Sequence, residues 1–174
     1  DDNDGIYLHG QQADQTIVLS GGVVAYTQDD GIDTLGGTVL IDNVIVRNIA
    51  DKAVSTFSSD VTINQSLLVD ADIGVNTKGT GTATPHTTIE RTTIANVNFG
   101  IVAQDKDTPD PDVVITFDVA SSILSVLSGG DAVSTDYDPA DIHIAYSNVA
   151  EPWPGTGNLM ADPRFYDAAA SDFL

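Results

Sequence analysis

The chain has 174 residues, 41% of them hydrophobic, which is enough for one domain with its own core and too apolar for a disordered chain. Its net charge of −20 argues against nucleic acid as a partner, because such a surface repels phosphate. The absence of cysteine excludes disulfides, thiolate-bound zinc and iron–sulfur clusters, and no apolar run approaches the about 20 residues that would span a bilayer.

Taken in chain order, the predicted elements form a repeat. An aliphatic residue stands at Leu19, Ile41, Ile63, Ile89, Val119 and Ile144, with spacings of 22, 22, 26, 30 and 25. Two positions before each come Ile17, Val39, Val61, Thr87, Phe117 and Ile142, and five positions after each come Val24, Val46, Leu68, Ile94, Leu124 and Val149. A small residue followed by an aliphatic one opens a third column: Gly5-Ile6, Gly31-Ile32, Ala53-Val54, Gly74-Val75, Gly100-Ile101 and Ala132-Val133. Such a period means stacked supersecondary units, none of which can bury its apolar face alone.

Within a unit, apolar and polar residues alternate, as in Val39-Leu40-Ile41-Asp42, so positions −2 and 0 share one face of a strand. A polar bend follows (Asp42-Asn43, Asn64-Gln65, Glu90-Arg91, Ser147-Asn148), then a second short strand. A further bend carries Asn48, Asp70 and Asn96, each seven positions past the register residue. Gly or Ala then opens the third strand at a corner where a larger side chain would crowd the turn. No window has helical periodicity with caps. Asp supplies 24 of the 26 acids, which suits a chain of many turns. The predicted fold is therefore all-β: a right-handed parallel β-helix, or solenoid, of about six coils over residues 1–150. A segment at 151–174, with Trp153 between two prolines, is expected to cap the same domain. At about 4.8 Å per coil the rod would be about 29 Å long.

The columns resemble those of the right-handed parallel β-helix proteins of the pectate-lyase-like superfold. Val39-x-Ile41-Asp42-Asn43-Val44-Ile45-Val46 and Ile73-Gly74-Val75 match its coil pattern. Asn158 through Asp162-Pro163-Arg164-Phe165, ending in Asp172-Phe173-Leu174, is similar to the closing segment of extracellular members. The resemblance covers nearly the whole chain and implies fold and an extracellular or cell-surface location more than activity. The fold hosts lyases, hydrolases, epimerases, adhesins and tailspikes.

Arithmetic on the columns locates the insertions. From each register residue to the next Gly-Ile aliphatic the step is 13, 13, 12, 12 and 14; the return steps are 13, 9, 9, 14, 18 and 11. One corner of three therefore takes the insertions, at 9–15, 77–86, 104–112 and 136–141. This edge is the expected contact surface, with His9, Lys78, His86, Lys106 and Tyr137 as its binding residues. It also gathers Asp105, Asp107, Asp110, Asp112, Asp136, Asp138 and Asp141. Close carboxylates repel unless a cation lies between them, so these are either two solvated acidic loops or a calcium site, calcium being the cofactor they would hold; no organic cofactor is expected. Zinc is disfavoured, because the three histidines lie on separate coils without paired spacing.

Two readings of function follow. The first is a structural or adhesive module, calcium-stabilised, that contacts polysaccharide or cell-surface proteins through this edge, or assembles with copies of itself through the β-helix ends. The alternative is a polysaccharide lyase or glycoside hydrolase that uses the same edge, with Lys78, Lys106 and His86 as catalytic candidates. Gln28-Asp29-Asp30-Gly31 resembles part of a polygalacturonase motif without its companions and reads as a polar corner. No catalytic set of the superfold is complete, which favours the module.

Overall fold

The structure, a computed structural model, describes residues 3–9, 15–81, 83–106, 113–135 and 140–165. Thirteen strands follow in order: β1 (Ile6–His9), β2 (Thr16–Thr27), β3 (Ile32–Leu35), β4 (Thr38–Ile49), β5 (Lys52–Phe57), β6 (Asp60–Asn64), β7 (Leu67–Gly79), β8 (His86–Glu90), β9 (Thr93–Asp105), β10 (Ile115–Ala120), β11 (Ile123–Thr135), β12 (Ala140–Ala145) and β13 (Asn148–Val149). No helix occurs among the described residues.

Every strand pairing is parallel, and the partners lie one coil apart. The three aliphatic columns are the three ladders. One runs Ile6, Ile32, Val54, Val75, Ile101, Val133. The second runs Ile17, Val39, Val61, Thr87, Phe117, Ile142. The third runs Val24, Val46, Leu68, Ile94, Leu124, Val149. The fold is a parallel β-solenoid. Six rungs per ladder make about five full turns of chain, so the expected count of about six was a count of rungs.

The ladders close around a dry interior. Ile41, Ile63, Ile89, Ile94 and Ile101 are fully buried. Each such side chain contributes about 1.5–3 kcal/mol of transfer free energy, which is why in-phase columns hold coils together. The small residue before each third-column aliphatic fits for a steric reason. A Cβ on Gly74 would stand 2.3 Å from Ile94 Cγ2 and 2.5 Å from the Gly100 carbonyl oxygen.

Two further columns organise the first bend. Asn43, Gln65, Arg91, Ser121 and Tyr146 all have φ between 48° and 55°, one per coil, turning the chain in the left-handed region. The next residue is buried and polar from the third coil on: Ser66, Thr92, Ser122, Ser147. Each hydroxyl donates to the carbonyl two residues before it, at Asn64, Glu90, Ala120 and Ala145. Each also accepts the backbone N–H of the coil below, from Val44, Ser66, Thr92 and Ser122. This hydroxyl ladder satisfies backbone donors that a bend would otherwise leave buried and unpaired. At the end of the stack Asn158 takes over its role. Its Oδ1 accepts the Ser147 N–H at 3.2 Å and its Nδ2 donates to the Ile144 carbonyl at 2.8 Å. Leu159 bridges Asn148, and Trp153 packs on the core.

All long connections join the end of a first-ladder strand to the start of a second-ladder strand: β1 to β2, β7 to β8, β9 to β10 and β11 to β12. In the two coils without insertions only Gly36-Gly37 and Ser58-Ser59 intervene. The insertions thus share one corner, and two outer sheet faces flank it.

Candidate functional site

The first flank is the outer face of β1, β3, β5, β7 and β9. Because alternate residues point inward, the residue after each first-ladder aliphatic points out: Tyr7, Asp33, Ser55, Asn76 and Val102 in register. Two positions later His9, Leu35, Phe57, Lys78 and Gln104 point the same way. A groove of about 470 Å³ crosses this face, lined by Asp4, Tyr7, Asp29, Asp30, Asp33, Leu35, Lys52, Phe57, Lys78 and Lys106. Lys52, Lys78 and Lys106 are all the lysines of the chain, so a protein of net charge −20 places every ammonium group in one groove.

The three lysines are held differently. Lys52 Nζ bonds Asp30 at 3.1 Å and also pairs with Asp51. Burial alone would lower the Lys52 amine, but the Asp51 and Asp30 carboxylates outweigh it, and its pKa is raised. Lys106 Nζ lies 5.0 Å from the centre of the Phe57 ring, a cation–π contact. Lys78 makes no ion pair within 4 Å among the described residues. Burial lowers its pKa, opposed by Asp33 and Asp30 and assisted by Lys52 and Lys106.

At one end the carboxylates converge. Oxygens of Asp4, Asp29 and Asp30 lie within 4.8 Å of one another. Asp4 Oδ1 accepts the Asp30 N–H at 3.2 Å. Its pKa is raised, mainly by burial, with Asp33, Asp30 and Asp29 adding repulsion against that hydrogen bond. Beside Asp33 on the neighbouring strands, Ser55 is 0% and Asn76 1% exposed. Asp33 Oδ1, Ser55 Oγ and Asn76 Oδ1 occupy successive rungs, and none has a hydrogen-bond partner among the described residues. Asn76 uses only its amide, donating to Gln104 at 3.1 Å. Buried polar atoms without partners are uncommon, and Thr56 Oγ1, next to Ser55, is another. Tyr7 stacks on His9 with ring centres 5.7 Å apart.

The expected edge residues divide between the two flanks. Lys78 and Lys106 come together in the groove, and His9 stands beside it through Tyr7. His86 does not join them. It lies on the second flank, bonded to Asp118 at 2.7 Å. Asp105 ends β9, and Asp141 bonds His143 at 2.9 Å. Asp107, Asp110, Asp112, Asp136, Tyr137 and Asp138 lie outside the described residues. Asp4, Asp29, Asp30, Asp33 and Lys52 escaped the sequence reading. Asp29-Asp30 forms a corner, as read, and also delivers two carboxylates to the groove. One signal was available: the polar residue that follows the third-column aliphatic on successive coils, Asp33, Ser55 and Asn76.

Compared with known protein families, curated proteins and solved structures, the chain matches none. What is defined is the class: a parallel β-solenoid with a mixed lysine–aspartate groove on one outer face.

Proposed function

We propose that this β-solenoid is an extracellular module that holds an acidic polysaccharide in the lysine groove. The observation that carries this is the convergence of all three lysines in one groove of a protein whose net charge is −20. A sugar acid carries both complements: a carboxylate for Lys78 and Lys106, and hydroxyls that donate to the Asp33 carboxylate on the groove wall. The exposed Tyr7 ring offers a face for a sugar ring. The groove also carries Asp4, Asp29, Asp30 and Asp33, so the polymer's carboxylates would sit at Lys78 and Lys106 and need a cation beside the aspartates. Calcium enters through Asp4, Asp29 and Asp30, where it would bridge the protein to the polymer's own carboxylates. The test is retention of the chain by polyuronates, against a neutral glucan, with and without calcium. Equal retention on both polymers would sink the reading.

One observation favours a second reading, polysaccharide lyase. Lys78 is an amine held below its ordinary pKa by burial, which suits a general base. In β-elimination it would take the proton α to the uronate carboxylate. The electron pair forms a carbon–carbon double bond, and the glycosidic oxygen leaves from the β carbon and is protonated. Unsaturated products that appear with the parent chain and vanish with Lys78→Met would establish this reading. A polymer that is bound but left intact would leave the module.

A further inference from the structure

The two ends of the solenoid are finished differently. At the C-terminal end each ladder is closed. Glu151 Oε1 accepts the Val133 N–H at 3.0 Å, Asn158 holds Ser147 and Ile144, and the Leu159 carbonyl accepts the Val149 N–H at 2.9 Å. At the other end β1 pairs with β3 and β2 with β4, each on one side only. One edge of β2 is thus without a strand partner among the described residues.

Open edges in proteins are usually blunted by charge, by proline, by a bulge or by being short. β2 has none of these protections. It runs 12 residues, Thr16–Thr27, without charge or proline, and keeps register with β4 throughout. Of the five strands of 12 or 13 residues it alone is uncharged, in a chain of net charge −20. Val18 and Val23 stand on its outer side, 56% and 58% exposed.

The bend in β2 is bare. In the coils above, the turning residue carries a side chain: Asn43, Gln65, Arg91, Ser121 and Tyr146. In β2 the same position is Gly21, and a Cβ there would meet no atom within 4 Å. Packing among the described residues does not demand that gap, which leaves room for another backbone to approach. The strand is also self-complementary about this bend. Ile17, Leu19, Gly22 and Val24 stack under the buried Val39, Ile41, Val44 and Val46 and so face inward. With a second copy laid antiparallel on a two-fold axis between Ser20 and Gly21, Ile17 faces Val24 and Leu19 faces Gly22 on the inner side. On the outer side Val18 faces Val23. Every pair matches inward with inward and outward with outward, as pairing requires.

We propose that the uncharged edge of β2 pairs antiparallel with β2 of a second copy of this chain, in a head-to-head dimer closed by a two-fold axis at the Ser20-Gly21 bend. The closed C-terminal end stops assembly at two copies, where two open ends would grow a fibre. Pairing covers the partly buried Ile17, Leu19 and Val24 and joins the two interiors. Two chains of charge −20 repel each other over most of their surface, so an uncharged strand is where they can meet. One coil, 22 residues from Leu19 to Ile41, matches the about 20–30 residues that each side of a standard interface contributes.

The test is sedimentation equilibrium of the full chain across micromolar concentrations. A reversible species of twice 18.2 kDa is expected. Added salt should tighten it, because salt screens repulsion between two acidic chains. Val18→Lys/Val23→Lys should weaken it by more than about tenfold, since charge on an open edge blocks pairing. Both side chains are more than half exposed, and a circular dichroism spectrum that matches the parent's shows that the variant is folded. Cysteine placement reads the orientation in a chain that has none of its own. Ser20→Cys, beside the axis, should oxidise to a disulfide-linked dimer, and Leu127→Cys, exposed on β11, should not. A monomer at every concentration, as an edge reserved for some other chain segment would give, overturns the proposal. So does a dimer that salt dissociates, that keeps its affinity in the folded double variant, or that cross-links equally through both cysteines.

Discussion

On the groove side, Ser55 and Asn76 are buried and their side-chain oxygens have no hydrogen-bond partner among the described residues, whereas on the opposite flank the side chains of His86, Asp118, Asp141 and His143 are about half exposed and bonded to one another. Both faces come from the same device, a ladder that stacks one residue per coil in the same outward position. The difference lies in what the neighbours do. On the groove side, Ser55 and Asn76 lie below the surface, so their oxygens lose solvent without gaining partners among the described residues. On the other flank, successive rungs bring donors and acceptors of opposite kind together, and they satisfy one another while open to water. A solenoid thus converts identical geometry into two kinds of surface through the choice of residue in a single column.

Ligand binding should give the largest separation between the faces. The double variant Lys78→Ala/Lys106→Ala is expected to weaken polyuronate binding by about a hundredfold, or about 2.7 kcal/mol. Asp118→Asn should leave that affinity unchanged. If the Asp118 variant binds as poorly as the lysine variant, the two flanks form one site and the contrast fails.

Two serines then distinguish satisfied from unsatisfied burial. Ser122→Ala removes a hydroxyl that accepts the Thr92 N–H and donates to Ala120, and should cost about 1–3 kcal/mol in a denaturant melt. Ser55→Ala removes a hydroxyl with no partner and should stabilise the chain by up to about 1 kcal/mol. Equal losses from both would mean that the groove side is not under-satisfied.

The lysines sharpen the comparison through pH. Lys78 has a folded-state pKa lowered from 10.5, so between its folded value and 10.5 the unfolded chain binds more protons. Its cost to stability is full below that window and is relieved as pH rises through it. The stability difference between the parent and Lys78→Met should therefore shift in the parent's favour toward pH 10.5. Lys52, with a raised pKa, behaves oppositely: its contribution is present below 10.5 and is lost as pH rises through its folded value. Melts of Lys52→Met and Lys78→Met across alkaline pH should diverge in sign.

The smallest effect belongs to the exposed flank. Asp118→Asn should change stability by less than about 1 kcal/mol, because its contacts compete with water. A larger loss would mean that the histidine–aspartate row supports the fold.

The sequence by itself determined the repeat, the three interior columns and the corner that takes the insertions. Those features are periodic, and burial of aliphatic side chains imposes the period directly on the residue string. It also held, unread, the hydroxyl ladder, since Ser66, Thr92, Ser122 and Ser147 recur three positions after the register residue. Tertiary structure alone decided which outward residues meet. Spacing placed Lys78 and His86 on one edge, yet the chain turns the corner between them, and they face different neighbours. The three histidines lack paired spacing in sequence, yet His86 and His143 both bond Asp118, because in the solenoid the neighbours of a side chain lie one coil away. Contacts between coils depend on how many residues each loop inserts and on how side chains lean across the rungs. Neither quantity is carried by the period that made the fold legible.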